Sequence, residues 1–425
     1  MFKEQFKKAL VLSHTLKVSL AGIFFISLFL LTFALSNKNT VSILRSPLPD
    51  TGLLFPKVQA QTKEEKKYEV FGFAPYWSFK KLDNVDFNTL TTLAYFGVPV
   101  SKSGDLVKND PGYTTFMSQK ATEIFQKAHN HETKVVLTIT QMNNKTIKQI
   151  LDDEAAQHRT VQQTLSLVKA RGIDGVNIDF EYTGDPGDDY MHKFTNFVDL
   201  MNEAMKANNL TTSTSVYAIS ASQLKMYDIQ ALAQRTDKIF MMAYDYATAS
   251  AKSAIPTAPL YGHKEGEYWY DVATAVDDFL SKMPSDKLIL GTPWYGYNVL
   301  VYEPGIKAET RPRYSWRGKP TAQTYGNIEE TISPNMPGIL DYKEGWDDLG
   351  KTRWKAYHVA STNTWRMIFY DDIQSLGIKY DFAKTKDLAG VGIWALGFDN
   401  GRPEMWDLLR AKFGSSSQQL SMNNK

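Results

Sequence analysis

Polar and bulky apolar residues alternate in the segment that ends at Glu181, in a pattern that suits a strand with a chemical role. Asn177, Asp179 and Glu181 occupy alternate positions, and alternate side chains of a β-strand point to the same face. Charged groups on an inner face are unfavourable unless they are paired or used in chemistry. Since carboxyl groups can donate a proton or stabilise a positive charge, all three residues are candidates for a functional site.

The same alternation also suits a strand with one solvated face in an antiparallel sheet, which needs no chemistry. The ends of other predicted strands favour the functional interpretation. One such end holds Met242, Tyr244 and Asp245, another continues into Trp294, and the last carries Trp394. Carboxylates, a tyrosine and aromatic surfaces at several strand ends indicate a sugar-binding site better than a core.

Short apolar runs alternate with amphipathic helical patterns from residue 68 onward. The eight runs lie at 70–74, 91–96, 134–140, 175–180, 211–217, 239–244, 288–292 and 390–396. The helical patterns lie at 118–129, 155–171, 189–207, 223–235 and 271–283. This alternation predicts parallel strands and an α/β fold, a closed (β/α)8 barrel. An open doubly wound sheet is the alternative, but no GxGxxG follows the first run.

The active site of such a barrel lies at the carboxyl ends of its strands, where Glu181 would be. The gap between the seventh and eighth runs is too long for one crossover helix, and residues 300–376 are rich in Tyr, Trp, Gly and Pro. We predict a small α+β insertion there, on the catalytic rim. The barrel domain is expected to span 67–414, with a disordered polar tail at 415–425.

The N-terminal region predicts a membrane segment. Residues 18–35 carry no charge and follow four lysines within residues 1–17, so 18–36 is predicted to be a transmembrane signal-anchor with a cytoplasmic basic segment before it. A cleaved signal peptide remains open, because small residues precede a possible cleavage point. Residues 37–66 are predicted to be a linker. The domain would then be extracytoplasmic, anchored or secreted.

Composition excludes several kinds of site and partner. Lys+Arg 48 against Asp+Glu 46 gives a net charge of +2, which does not indicate a nucleic-acid partner. Cys is absent, which excludes disulfides, thiolate metal sites and a Cys nucleophile. The pair His129 and His131 is predicted to end a helix, and the acidic residues at 185, 188 and 189 to form a turn. No cofactor or metal is predicted, and a monomer is expected.

Several motifs resemble those of glycoside hydrolase family 18, the chitinase-type family. Residues 174–181, DGVNIDFE, are similar to its DxxDxDxE signature, and residues 242–245, MAYD, to its MxYD motif. Residues 288–296 resemble its strand-seven segment, Trp394 its strand-eight Trp, and residues 369–372, FYDD, the YDD element of its insertion. The matches occur in order over about 68–413.

Two departures from the family pattern bear on the substrate. Asn177 stands where the signature has its second Asp, and residues 137–141, LTITQ, stand where chitinases have Ser-x-Gly-Gly. Both departures are similar to the spore-cortex-lytic and related bacterial branch, which acts on cell-wall glycans. They count against a chitinase proper more than against a hydrolase. A catalytically inactive glycan-binding protein is a further alternative, against which the intact Glu181 argues.

The resemblance implies a substrate-assisted retaining mechanism, in which the 2-acetamido group of the sugar is the nucleophile. Glu181 would be the acid/base, Asp179 would hold the acetamido N–H, and Tyr244 would bind its oxygen. The substrate would be an N-acetylglucosamine-containing polysaccharide, peptidoglycan or chitin-type, with endo or exo action left open. The predicted substrate-binding residues are Asn177, Asp245, Met242, Trp394, Trp294, Tyr76 and Trp77.

Asn177 also has a predicted electrostatic effect. An Asp there would place a second negative charge beside Asp179 and raise its pKa. Because Asn keeps the hydrogen-bonding capacity without the charge, we expect Asp179 to stay ionised through more of the catalytic cycle.

Overall fold

The computed structural model describes residues 68–223, 225–312 and 318–414. The predicted cytoplasmic segment, membrane segment, linker and tail, at 1–17, 18–36, 37–66 and 415–425, lie outside the described residues and stay predictions. Within the described ranges, no helix is both long enough and apolar enough to cross a membrane.

Eight parallel strands close into a barrel in the order β1-β15-β8-β6-β5-β4-β3-β2. The barrel prediction is confirmed, and the open doubly wound sheet is wrong because β1 pairs with β15 and closes the ring. The barrel strands are β1 Glu69–Pro75, β2 Thr92–Pro99, β3 Lys134–Gln141, β4 Gly175–Phe180, β5 Thr211–Tyr217, β6 Lys238–Met242, β8 Leu288–Pro293 and β15 Gly390–Trp394.

Helices cover the outside of the barrel, and five of them match the helical patterns of the sequence. They are α1 Pro111–Phe116, α2 Gln119–Asn130, α3 Asn144–Asp152, α4 Glu154–Arg171, α5 Asp188–Lys206, α6 Ile229–Arg235, α7 Val272–Leu280, α8 Tyr325–Thr331, α9 Ile373–Thr385 and α10 Glu404–Phe413. Short 3-10 turns lie at Tyr76–Asn84, Ala218–Ala221 and Ser285–Lys287.

The connection that leads into β4 is fixed at both ends. Helix α4 is capped by the Asp153 side chain and ends at Gly172, whose φ of 58° is a left-handed conformation that glycine adopts easily. Asp174 then accepts hydrogen bonds from the Val135 backbone N–H at 2.7 Å and pairs with His129 at 2.8 Å. His129 thus lies in the last turn of α2, as predicted, and anchors the strand that carries the candidate residues.

The barrel interior divides into an aromatic sector and a polar sector. Apolar side chains from β1, β2, β3, β6 and β8 form one inner cluster, made of Phe71, Phe73, Ala94, Phe96, Val136, Phe240, Met242 and Ile289. Register pairs Thr138 with Asn177 and Asn177 with Ser213, so β3, β4 and β5 turn polar side chains to the same interior. These buried groups are the part of the interior that apolar packing does not fill.

A five-stranded antiparallel sheet is inserted between β8 and β15, as the sequence predicts. Its order is β11-β9-β14-β13-β12, and it begins at Tyr295 rather than near residue 300. The strands are β9 Tyr295–Val301, β11 Thr321–Thr324, β12 Ile339–Asp347, β13 Thr352–Val359 and β14 Thr364–Tyr370. A two-stranded ribbon pairs β7 Ser253–Ala254 with β10 Ala308–Glu309.

Buried charges join this sheet to the barrel at the FYDD segment. Asp371 pairs with Lys379 and both side chains are almost completely buried. Asp372 caps α9 by accepting from the Ser375 N–H at 2.9 Å, and it binds the Arg353 Nε at 2.5 Å. The motif that resembles the YDD element therefore has a structural role in this chain.

Removing one member of the buried pair should be strongly destabilising. A Lys379→Met substitution leaves the Asp371 carboxylate buried without its cation, so we expect the free energy of unfolding to fall by about 3 to 5 kcal/mol. The double variant Asp371→Leu/Lys379→Met should recover much of that loss. Urea denaturation is the measurement, with the exposed Lys80→Met as a control; equal stability of Lys379→Met and Lys80→Met would contradict this role.

Candidate active site

Strand β4 places its polar residues inside the barrel, as the alternation predicts. Asn177 and Asp179 are buried at inner positions. Glu181 follows the last residue of the strand, and its backbone N–H still donates to the Gln141 carbonyl at 2.8 Å. This bond extends the pairing with β3 by one residue and directs the Glu181 side chain to the mouth of the barrel.

A cleft of about 790 Å³ lies over the carboxyl ends of the strands. Asp179 forms part of its floor and Glu181 part of its wall. The predicted site residues that line it together are Asp179, Glu181, Met242, Tyr244, Asp245, Trp394 and Trp77. Residues far apart in sequence thus converge on one concave surface.

Asp179 has an incompletely satisfied carboxyl group. Burial raises the pKa of Asp179 well above its ordinary value, and the nearby charge of Glu181 raises it further. Its Oδ1 atom is buried and has no hydrogen-bond partner within the described structure. A buried carboxyl oxygen in this state favours a ligand that brings its own N–H or O–H donor.

The raised pKa bears on the expectation that Asp179 stays ionised. Asn177 removes one possible neighbouring charge, but burial opposes ionisation more strongly than any other influence on Asp179. Alternation of residues does not reveal how deeply a carboxyl group is desolvated. That Asp179 is more ionised with Asn at position 177 than it would be with Asp there stays a prediction.

The pKa of Glu181 is subject to influences of opposite sign. Burial in the cleft raises the pKa of Glu181, a hydrogen-bonding contact with the Tyr217 hydroxyl lowers it, and the Asp245 charge raises it. The net direction is upward from the ordinary glutamate value of 4.5. Such a carboxyl group holds its proton nearer to neutral pH, which a general acid requires.

Asp245 is held by the first strand of the insertion. It has a φ of 60°, a left-handed conformation uncommon for a residue with a side chain. The Tyr297 hydroxyl donates to its Oδ1 at 3.0 Å, and the Tyr295 hydroxyl donates to the same atom. Burial raises the pKa of Asp245, and these two donors oppose the rise. The insertion therefore helps to hold one of the acidic side chains of the cleft in place.

Trp394 forms an aromatic wall at the base of the cleft. Its ring packs edge-on against Phe96 at 4.7 Å and Phe73 at 5.5 Å, measured between ring centroids. Trp77 lies 6.4 Å away and is 53% exposed. Apolar ring faces beside open space are suited to the apolar face of a pyranose.

Three of the predicted substrate-binding residues do not line the cleft. Trp294 is completely buried and packs against Trp406 at 5.7 Å. The assignment is contradicted because Pro293 pairs with Trp394 and the next residue, Trp294, points outward to the helices. Tyr76 is half-buried, and its ring lies over Gly97, where a Cβ would meet it at 2.8 Å.

Asn177 is the third of these residues, and its amide is held by β5. Its Nδ2 donates to the Ser213 Oγ at 2.9 Å, and its Oδ1 accepts from the Ser215 Oγ at 3.0 Å. With no exposed surface, it supports the floor under Asp179 and does not reach the cleft.

Tyr217 and Trp269 are among the lining residues that sequence reasoning missed. Tyr217 ends β5 at an inner position, which its alternation with Ser213 and Ser215 would have indicated. Trp269 lies in the loop between β7 and α7, is 54% exposed, and is fixed by its Nε1 donating to the Tyr246 carbonyl at 2.8 Å. No pattern marks Trp269, because its position depends on how that loop folds.

The chain offers no evident metal centre where the structure describes it. Within residues 68–223, 225–312 and 318–414, no group of three or more His, Cys, Asp or Glu side chains could hold a metal ion. The Asp185 carboxylate accepts from the Gly187 N–H at 2.8 Å, the turn that the sequence predicts before α5.

The family model of the Glycosyl hydrolases family 18 matches residues 69–399. This range holds all eight barrel strands, the insertion and every residue of the cleft.

Known proteins that are similar to this chain include mouse chitotriosidase-1, 26% identical over 256 residues, which cover 56% of this chain and 52% of that protein. The chain spans little more than half the length of the first curated relatives that it matches, 52 to 58%.

Two solved structures share the fold. The Ostrinia furnacalis Group IV chitinase in complex with allosamidin has a TM-score of 0.70 at 18% identity, covering 84% of this chain and 99% of that one. The spore cortex-lytic enzyme SleL of Bacillus megaterium QM B1551 has a TM-score of 0.64 at 17% identity, covering 83% and 75%. At these identities the likeness concerns the fold alone.

An Asn177→Asp substitution should lower stability in a pH-dependent way. A carboxyl group buried beside Asp179 has a folded-state pKa raised above its unfolded value of about 4. The loss in the free energy of unfolding is therefore small below about pH 4 and grows as the pH rises, to about 2 kcal/mol at neutral pH. Urea denaturation at both pH values measures it, with exposed Asn209→Asp as the control; a pH-independent effect would contradict it.

Proposed function

The chain belongs to glycosyl hydrolase family 18, and from that premise we propose that it is a retaining glycosidase acting on β-1,4-linked N-acetylglucosamine glycans. The observation that carries the proposal is the pair Asp179 and Glu181 lining one cleft, with a buried Asp179 oxygen that lacks a donor. An acetamido N–H of the substrate would supply that donor.

Glu181 is proposed as the proton donor to the leaving oxygen. It lines the cleft at the mouth of the barrel, and its raised pKa favours the protonated form in the free enzyme. When the bond to the leaving group breaks, the proton passes to the glycosidic oxygen and Glu181 becomes a carboxylate. It can then remove a proton from the water that attacks in the second step.

Asp179 and Tyr244 are proposed to hold the 2-acetamido group of the reacting sugar. The carbonyl oxygen of that group attacks the anomeric carbon and forms a cyclic, positively charged oxazolinium ion. The Asp179 carboxylate would bind the N–H and stabilise the positive charge. Tyr244 lies close enough to both acids for their charges to raise its pKa, so its hydroxyl stays a donor for the acetamido oxygen.

The remaining lining residues are proposed to bind the sugar. Trp394 would contact the apolar face of the reacting pyranose, and Met242 beside it would complete that surface. Asp245 would accept hydrogen bonds from sugar hydroxyls while Tyr295 and Tyr297 keep its carboxylate in place.

For the natural substrate we favour a bacterial cell-wall glycan, with chitin oligomers as the alternative. The support is the LTITQ segment at 137–141, the Asn at 177, and the fold shared with SleL, a spore cortex-lytic enzyme. The uncharged segment at 18–35 supports a domain outside the cytoplasm, anchored in the membrane or secreted.

Replacing the proposed acid should abolish turnover without unfolding the protein. Glu181→Gln keeps the shape but cannot donate the proton, so we expect kcat to fall about a thousand-fold or more. Purified protein is incubated with chitin oligomers and with peptidoglycan, and the products are identified by mass spectrometry. Exposed Glu203→Gln on α5 is the matched control. Glycan binding without turnover by the parent would instead support an inactive binding protein.

The pH dependence of kcat/KM should reflect the raised pKa of Glu181. The free enzyme needs Glu181 protonated, so kcat/KM is retained below that pKa and lost as the pH rises through it. Because burial raises this pKa above 4.5, the falling limb should lie clearly on the neutral side of that value. Initial rates on a soluble chromogenic oligomer locate the limb; a midpoint at or below 4.5 would contradict the assignment.

A further inference from the structure

We propose that Tyr217 is a positioning residue for the acid/base, whose hydroxyl directs the Glu181 carboxyl group towards the bond to be cleaved. The inference rests on the proposed function of Glu181 and adds a residue that none of the matched motifs contains. Tyr217 is the last residue of β5, next to the strand that leads into Glu181.

The location of Tyr217 follows from the barrel register. Asn177 pairs with Ser213, and Tyr217 pairs with Met242, so Ser213, Ser215 and Tyr217 occupy successive inner positions of β5. The first two serines bind the Asn177 amide. Tyr217 comes two residues later, at the level of the cleft, and lines it. One strand thus supports Asn177 at its inner positions and reaches Glu181 at its end.

A second tyrosine fixes the backbone on either side of Glu181. The Tyr227 hydroxyl donates to the Phe180 carbonyl at 2.7 Å and accepts from the Tyr182 N–H at 3.4 Å. The Tyr217 ring packs edge-on against Tyr227, with 5.9 Å between centroids and 82° between planes. Tyr227 therefore holds the main chain and supports the ring of Tyr217, which lines the same cleft as Glu181.

The hydroxyl of Tyr217 interacts with side chains and can therefore influence the protonation of Glu181. It lies close enough to the Glu181 carboxyl group and to Thr183, two residues beyond it, for each to influence its pKa. A donor at this place stabilises the carboxylate form of Glu181 and restricts the rotation of its carboxyl group. Since burial and nearby charge raise the pKa of Tyr217, the phenol keeps its proton and remains a donor.

Several titratable groups surround Glu181. Asp179 faces it from β4, Tyr244 and Asp245 from the end of β6, Tyr217 from β5, and Tyr227 from behind. The charge of Asp245 favours the protonated form of Glu181, and the charge of Glu181 favours the protonated form of Asp179. The Tyr217 hydroxyl favours the ionised form, which the enzyme needs in the second step of the reaction.

Tyr217→Phe tests the inference, because it removes the hydroxyl and keeps the ring. The falling limb of kcat/KM should move to higher pH by about half a pH unit or more, and kcat should fall about ten-fold. KM should change little, since the hydroxyl is proposed to act on Glu181 and not on the sugar. Incorporation of a fluorotyrosine, a stronger donor, at position 217 should move the limb in the opposite direction.

Tyr190→Phe is the matched control, because it removes a hydroxyl that binds Asp152 on the outer helices and does not line the cleft. It should leave the limb in place. An unshifted limb in Tyr217→Phe, in a protein whose circular dichroism matches the parent, would overturn the inference, as would equal shifts in both variants. Should Tyr217→Phe fail to fold, the fluorotyrosine protein decides by the direction of its shift.

The failure of this inference is distinct from the failure of the proposed function. If the parent turns over glycan and Glu181→Gln does not, Glu181 is the acid, and an unshifted Tyr217→Phe limb overturns only the role of Tyr217. If neither the parent nor Glu203→Gln turns over any glycan, the proposed function fails and this inference fails with it. Binding of the oligomer to Glu181→Gln and to the Tyr217→Phe/Glu181→Gln double variant should be equal.

Discussion

The burial of two carboxyl groups with few hydrogen-bond donors is the constraint on which the rest of this structure depends. Asp179 and Glu181 are desolvated inside the barrel, and burial is the largest influence on the pKa of both. Aromatic residues fill much of the interior, so the polar residues of β3, β4 and β5 are confined to one sector. The acids therefore lie beside low-polarity packing, which strengthens their effect on each other and on a bound charge.

The insertion contributes chemistry as well as size to this arrangement. Tyr295 and Tyr297 lie at its first strand and bind the carboxylate of Asp245, at the end of β6. The FYDD segment at its far end anchors the sheet to the barrel through buried charges. The inserted sheet is thus attached at both ends, and its position determines where one of the three acids of the cleft lies.

Much of the fold followed from the sequence, because alternation and helical period are local properties. All eight barrel strands were predicted close to their observed bounds, and the inner face of β4 was assigned correctly. The errors arose where orientation depends on neighbours. Trp294 follows an inward-facing Pro293 and therefore points outward. The amide of Asn177 was predicted to bind substrate, but two serines from the next strand hold it, which no local pattern reveals.

The orphaned Asp179 oxygen has a consequence for the free protein. Burial disfavours the ionised forms of Asp179 and Glu181, so the domain carries desolvated acids that an ordinary core would not contain. At these two acids, the catalytic activity and the stability of the domain therefore make opposite demands on the sequence. Neutral replacements of the two acids would therefore give a more heat-resistant protein that has lost its proposed activity.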